Sequence, residues 1–367
     1  YNEDNSKQYV GDLGIICMPG CEPFVESVQH YIQGWRKCDS KLVLDASVIR
    51  FATGEAKGFI RESVRGKDIF IITDMFNYSV TYKMYGQDVP MSPDNHYQDL
   101  IRIISAIAGK AKRITVIMPM LYEGRQHKRS SRESLDCAIM LQELVHMGVS
   151  NLITFDAHDP RVVNAIHPTY QMIKALVKNI PDISIEDKDL AIISPDEGGV
   201  GRCLYYSSVL GVNVGMFYKR RNYAVVIDGR NPIEAHEYLG ASIVGKDIIV
   251  VDDMISSGES LLDICASLKK QGARRIFAFI SFGLFCNGLE VFDKAYEDGS
   301  FDKIFTTNLI YRSPELLSRK WYCEVDMSKY VAYIIEELNR DQSISSLIDP
   351  FTKIKTLLED FRASKKK

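Results

Sequence analysis

The chain of 367 residues is 46% hydrophobic and 25% charged, the balance of an ordinary globular protein with apolar content for two cores of roughly 150 residues each. A net charge of −3 excludes global attraction to nucleic acid or an anionic membrane, so anion affinity has to come from local clusters such as those at 219–221 and 125–132. No apolar run is long enough to span a bilayer, the first residues lack a signal-peptide apolar region, and the eight cysteines form neither a disulfide framework nor a zinc pattern, so a soluble cytoplasmic protein with reduced thiols is expected.

Short apolar runs alternate with amphipathic stretches along the chain. Residues 13–18 read as a buried strand and 21–35 as a helix, followed by a strand over 68–73, a helix over 97–108, a strand over 113–119, a helix over 132–147 and a strand over 151–156. Strands separated by helices form βαβ units, which produce a parallel sheet covered on both faces. Near His167 and Pro168 the pattern restarts with a helix over 170–178. Strands then follow at 190–194, 212–217, 247–251 and 275–281, with helices at 199–210, 259–270, 289–296 and 327–338. The expected fold is α/β with two similar domains, each a mostly parallel sheet flanked by helices: an N-terminal domain over 1–167, a C-terminal domain over 168–349 and a tail over 350–367. Segments 77–95 and 218–244 are long for loops, a length typical of lids or binding segments.

Ligands of parallel sheets gather at the C-terminal ends of strands, and the polar clusters fall there. The run at 248–251 is followed by Asp252 and Asp253, then by Ser256, Ser257, Gly258 and Ser260 at the start of a helix. Small residues at a helix N-terminus form a phosphate-sized nest of amides. Two adjacent carboxylates repel phosphate but accept hydrogen bonds from vicinal sugar hydroxyls or from a metal's water shell, so the loop reads as a sugar-phosphate site. The plainer alternative is a strand–turn–helix corner in which the aspartates only cap the turn. His158 follows the strand at 151–156, Asp196 stands beside glycines after the strand at 190–194, and Lys219 and Arg221 follow the strand at 212–217. Singly these read as a turn histidine, a helix cap and solvated cations. Together, an imidazole and a carboxylate suited to Mg²⁺, several cations and a sugar-phosphate loop make a set fit for phosphoryl transfer.

The string at 251–260 resembles the phosphoribosyl-pyrophosphate (PRPP) loop shared by phosphoribosyltransferases and PRPP synthetases. Arg-Phe-Ala-Thr-Gly-Glu at 50–55, Glu-Ser-Val-Arg-Gly-Lys-Asp at 62–68, Gly-Arg-Gln at 124–126, Asp-Ala-His at 156–158, Ser-Pro-Asp-Glu-Gly-Gly at 194–199 and Lys-Arg-Arg at 219–221 resemble, in order, the motifs of the PRPP synthetase (ribose-phosphate diphosphokinase) family. The resemblance implies type I phosphoribosyltransferase-like domains and Mg²⁺-dependent transfer of the diphosphoryl group of ATP to the 1-hydroxyl of ribose 5-phosphate, giving PRPP and AMP. It implies that Phe51 and Glu55 contact adenine from a neighbouring subunit, and that Arg125 and Gln126 complete the ATP site. His158 and Asp196 are then the metal ligands. Asp252 and Asp253 take the ribose hydroxyls, Ser256, Ser257, Gly258 and Ser260 the 5-phosphate, and Lys219 and Arg221 the charge on the transferring phosphorus. A homo-oligomer built from dimers, a hexamer by analogy, is expected, with no nucleic-acid or membrane partner. The alternatives are a non-catalytic relative that regulates true synthetases and a phosphoribosyltransferase. Departures from the family pattern stand at Thr53, His127, Ser256, Ser257 and Glu259, and in the length of 77–95 and 222–244.

Overall fold

The computed structural model describes residues 9–129, 131–159, 165–221 and 233–365, the side chains of 219–221 and 233–236 excepted. In chain order its elements begin with β1 (Leu13–Cys17), α1 (Glu22–Arg36), β2 (Ala46–Arg50), β3 (Ala56–Ile60), β4 (Asp68–Ile72), β5 (Thr81–Met84), β6 (Gln87–Pro90), α2 (Pro93–Ile107), β7 (Arg113–Ile117), α3 (Asp136–His146) and β8 (Asn151–Ile153). They continue with α4 (Thr169–Asn179), β9 (Leu190–Ser194), α5 (Val200–Leu210), β10 (Val214–Arg221), β11 (Ile233–Leu239), β12 (Asp247–Ile255), α6 (Glu259–Lys270), β13 (Ile276–Gly283) and α7 (Glu290–Glu297). The last are β14 (Lys303–Thr307), α8 (Pro314–Leu317), β15 (Tyr322–Val325), α9 (Ser328–Asn339), α10 (Ser345–Ile348) and α11 (Phe351–Ser364).

Two compact units result. The first comprises Tyr1–His167, Asn308–Tyr311 and Asp326–Asp349; the second comprises Pro168–Thr307, Arg312–Val325 and Pro350–Lys367. Residues 326–349, next to the second half in sequence, therefore pack in the first unit, and α11 packs in the second.

Among the described residues the first unit holds a four-stranded parallel sheet in the order β1-β4-β7-β8. β4 is buried along its whole length, as expected of a strand covered on both faces. Ile69 and Ile71 pack with Leu100, Ile103 and Ile107 of α2. That helix starts at Pro93, four residues before the expected start, because the Ser92 side chain accepts a bond from the Asn95 N–H at 3.2 Å and proline suits the first turn. Two antiparallel hairpins, β2-β3 and β5-β6, stand outside the sheet; the second occupies most of the segment read as a long loop over 77–95. At the sheet's opposite end, Arg113 grips buried Asp68 with bonds of 2.8 and 2.7 Å and donates to the Leu338 carbonyl. Asn339 adds a bond to Asp68 at 2.9 Å, so the end of α9 is pinned to β4 and β7.

Among the described residues the second unit holds a seven-stranded sheet in the order β11-β10-β9-β12-β13-β14-β15, parallel except for the β10-β11 pair. Its core gathers Ile248 and Val250 with Ile264, Leu268, Phe292 and Trp321. β12 runs to Ile255, not Val251, because Asp252, Met254 and Ile255 stay in register with Ile280, Phe282 and Gly283 of β13. The long segment expected over 218–244 is in part strand, with β10 reaching Arg221 and β11 starting at Ile233.

At the entry to β12, buried Asp247 takes paired bonds from both Arg274 and Arg275 at 2.7–3.1 Å. Burial alone raises its pKa, but the two guanidinium groups more than offset this and hold the carboxyl below its ordinary value. With the folded-state pKa depressed, the stabilisation is fully present above the unfolded value of about 4 and is lost as pH falls through the folded one. Asp247→Asn is therefore expected to cost about 3 kcal/mol in urea unfolding at pH 7. The gap from the parent protein should close as the pH drops below about 4.

Candidate active site

In the second unit, β9 lies between β10 and β12, and the strand order departs from β9 in both directions. Loops that follow strands at such a reversal leave toward opposite faces and open a crevice at the strands' C-terminal ends. Val250 pairs with Ile193, so the loop beginning at Pro195 and the Asp252 end of β12 meet at one sheet edge. Met216 pairs with Ser194, and β10 runs on to Lys219 and Arg221 at the same edge. The side chains of those two cations lie outside the described residues.

The loop after β12 matches the sequence reading in outline and differs in detail. Asp252 and Asp253 belong to the strand itself, and α6 begins at Glu259 as expected. Gly258 is the N-cap with φ +89°, and no side chain caps the helix, which leaves the first-turn amides for a ligand. A Cβ added at Gly258 would lie 2.0 Å from Cζ of Phe292. That ring is fully buried and meets Phe285 edge-on at 4.9 Å and Trp321 face-on at 5.7 Å. Trp321 is fixed in turn by a 2.7 Å bond from its indole N–H to Asp293. The Ile255 carbonyl accepts from the Leu284 N–H and the Ser256 carbonyl from the Cys286 N–H, each at 2.9 Å. An aromatic floor and two main-chain bonds thus hold the loop.

Asp253 is buried and Asp252 half-buried, and the Asp253 N–H donates to the Asp252 carboxylate at 2.9 Å. Burial first, and the like charge of Asp253 second, push Asp252 well above the ordinary carboxylate range. Arg202 of α5 opposes that rise. Asp196 accepts from the Gly199 N–H at 3.1 Å and caps the short 3₁₀ turn Glu197–Gly199, so the cap role considered from the sequence is present.

In the first unit, exposed Arg125 and Gln126 follow β7, and exposed His158 follows β8. Tyr122 stacks on Tyr97 at 4.6 Å and donates to Asp94, which anchors the start of the Arg125 segment. His127 and His158 stand edge to face at 6.0 Å, and Nε2 of His127 lies 2.9 Å from the Asp159 carboxylate without hydrogen-bond alignment. The segments carrying Arg125, Gln126 and His158 therefore meet at neighbouring strand ends. Phe51 and Glu55 stand apart from them on the β2-β3 tip, both exposed, with Thr53 donating to Glu55 at 3.0 Å. His158 and Asp196 belong to different units. Among the described residues, no group of three or more His, Cys, Asp or Glu is gathered for a metal.

A family model described as the N-terminal domain of ribose phosphate pyrophosphokinase matches residues 13–148, and one described as a phosphoribosyl transferase domain matches residues 162–301. A ribose-phosphate pyrophosphokinase of Vibrio cholerae is 27% identical over 310 residues, covering 83% of this chain and 91% of the relative. One from Haemophilus ducreyi is 28% identical over 312 residues, with the same coverage. The crystal structure of phosphoribosylpyrophosphate synthetase from Mycobacterium smegmatis superposes with a TM-score of 0.71 at 18% identity, covering 90% of this chain and 99% of that one. The chain belongs to the ribose-phosphate pyrophosphokinase family.

It is thus a transferase whose general chemistry is PRPP formation. The expected α/β architecture is the one found, and the Mycobacterium smegmatis structure shares it. Of the two residues expected to hold Mg²⁺, Asp196 offers a carboxylate oxygen, a donor of the kind that ion takes, and His158 an imidazole that it accepts through a bound water.

Two features of this pyrophosphokinase were not found from the sequence. Arg202 had a local signal, a cation in the first helical turn after Ser-Pro-Asp-Glu-Gly-Gly. The floor of Phe285, Phe292 and Trp321 had none, since it is made only through space. Gly258→Ala should lose about 3 kcal/mol of stability, from the ring contact and from the left-handed backbone. Adding Phe292→Ala makes room for the methyl group, so the double variant should lose clearly less than the sum of the single losses in urea unfolding. Strict additivity would show that the two groups do not meet.

Proposed function

We propose that this pyrophosphokinase transfers the diphosphoryl group of ATP to the 1-hydroxyl of ribose 5-phosphate, with Mg²⁺, and releases PRPP and AMP in the cytoplasm. The observation that carries this reading is the loop 252–260, which sets two carboxylates beside an uncapped helix N-terminus at the reversal point of a parallel sheet. Asp252 and Asp253 receive the ribose hydroxyls, while Ser256, Ser257, Gly258 and Ser260 hold the 5-phosphate. Phe51, Glu55, Arg125 and Gln126 take the nucleotide. Asp196 and His158 hold the metal, which supplies charge neutralisation on the phosphates. The 1-hydroxyl attacks the β-phosphorus, the bond to the α-phosphate oxygen breaks, and AMP leaves.

Little covalent work falls to the protein in such a transfer; positioning and charge stabilisation carry it. Lys219 and Arg221 act on charge that grows on the transferring group. Exposed Phe51, at 52% of its free surface, supports a nucleotide site completed by a second copy of the chain, and hence a dimer-based homo-oligomer with a hexamer as its full form.

Incubation with ATP, Mg²⁺ and ribose 5-phosphate should yield AMP and PRPP in equal amounts. ADP as the nucleotide product would contradict the reaction proposed. Removing one contact of the kind assigned to Lys219 costs about 3 kcal/mol of transition-state stabilisation, so Lys219→Ala should lower kcat by about two orders of magnitude. A variant changed only in KM would assign Lys219 to ground-state binding.

A further inference from the structure

The hairpin β5-β6 stands outside the sheet of the first unit and carries none of the residues assigned above. Its side chains alternate, with Tyr82 and Met84 half-buried and Thr81, Lys83 and Tyr85 exposed. The half-buried pair faces the tip of the β2-β3 hairpin. The Arg50 guanidinium lies 4.4 Å from the centre of the Tyr82 ring, donates to the Gly54 carbonyl at 3.1 Å, and pairs with buried Asp99 of α2 at 2.7 Å. Gly54, at φ +91°, has its bare α-carbon against Met84 and Tyr82, where a Cβ would lie 2.9 Å from the Met84 sulfur.

The turn of the second hairpin adds a main-chain tie. Tyr85 and Gly86 both have positive φ, 49° and 78°, as a two-residue type I′ hairpin requires. That geometry is unfavourable for tyrosine, and its N–H donates to the Ala52 carbonyl at 2.8 Å. Cation–π contact, packing beneath a glycine and a backbone hydrogen bond thus converge on residues 50–54, immediately beside Phe51 and Glu55.

We propose that β5-β6 is a splint that fixes the 51–55 tip for a nucleoside triphosphate, with Tyr82 as its principal positioning residue. The inference rests on the assignment of Phe51 and Glu55 to the nucleotide. Without the splint the tip keeps its two strands and the Arg50–Asp99 pair but loses the Tyr82 ring, the packing beneath Gly54 and the main-chain bond, so nucleotide binding has to pay for ordering it.

Steady-state kinetics on the full chain test this, with Mg²⁺-ATP and ribose 5-phosphate varied separately. Tyr82→Leu should raise KM for ATP about fivefold, the worth of one partly exposed cation–π contact, and leave kcat and KM for ribose 5-phosphate unchanged. Tyr82→Phe keeps the ring and should behave as the parent. Met84→Ala, which removes the other side chain beneath Gly54, should move the ATP KM in the same direction. An equal rise in both Michaelis constants would signify general loosening and overturn the assignment. So would an unchanged ATP KM in Tyr82→Leu alongside a raised one in Phe51→Ala. An unchanged ATP KM in both Phe51→Ala and Glu55→Ala would instead remove the nucleotide assignment, and the splint with it.

Discussion

The close approach of Phe292 to the α-carbon of Gly258 sets the geometry on which the loop proposed for ribose phosphate depends. Only a residue without Cβ fits there, and only a left-handed backbone turns the chain from the end of β12 into α6 with its first amides uncapped. The contact is the top of a stack. Phe292 rests on Phe285 and Trp321, and Trp321 is oriented by Asp293, which Arg319 also bonds at 3.0 Å. Burial would raise the Asp293 carboxyl, yet the indole and guanidinium bonds hold it low. A binding loop usually draws on the least stable part of a fold; here the loop is seated on a buried aromatic cluster.

The same strand brings together opposing electrostatic demands. Its entry carries Asp247, stabilised as an anion by two arginines, and its exit carries Asp252, whose anionic form is disfavoured by burial and by Asp253. One carboxylate is held as an anion at the entry of the strand, and the other is strained as an anion at its exit. In the proposed reading, sugar hydroxyls donate to the Asp252–Asp253 pair, where a second anion would be repelled. The residues proposed for the nucleotide belong to the first unit, where the 51–55 tip meets β5-β6 and the Arg125 segment follows the Tyr97–Tyr122 stack.

Most of the α/β alternation was legible, because strands buried on both faces leave uninterrupted apolar runs such as those of β9 and β12. The helix starts at Glu259 and Val200 were also readable from glycine and small-residue signals. The end of β12 was not, since the apolar run stops at Val251 while backbone pairing to β13 continues past two charges. β5 and β6 were hidden because an exposed hairpin lacks an apolar face, and what fixes it is Tyr82 over Arg50, a contact between residues 32 positions apart. The place of α9 was hidden for a related reason: Asn339 and Asp68 meet across 271 residues of sequence. Of the site, Asp252, Asp253 and the loop were legible as a motif; Arg202 and the aromatic floor are products of packing.

The loop 252–260 is proposed to bind a sugar phosphate by its two ends. A crystal structure of the protein with ribose 5-phosphate tests it most directly. The expected density places the phosphate against the amides of residues 256–260 and the ribose hydroxyls within hydrogen-bond distance of Asp252 and Asp253. Ribose 5-phosphate bound elsewhere, with this loop unengaged, would contradict it.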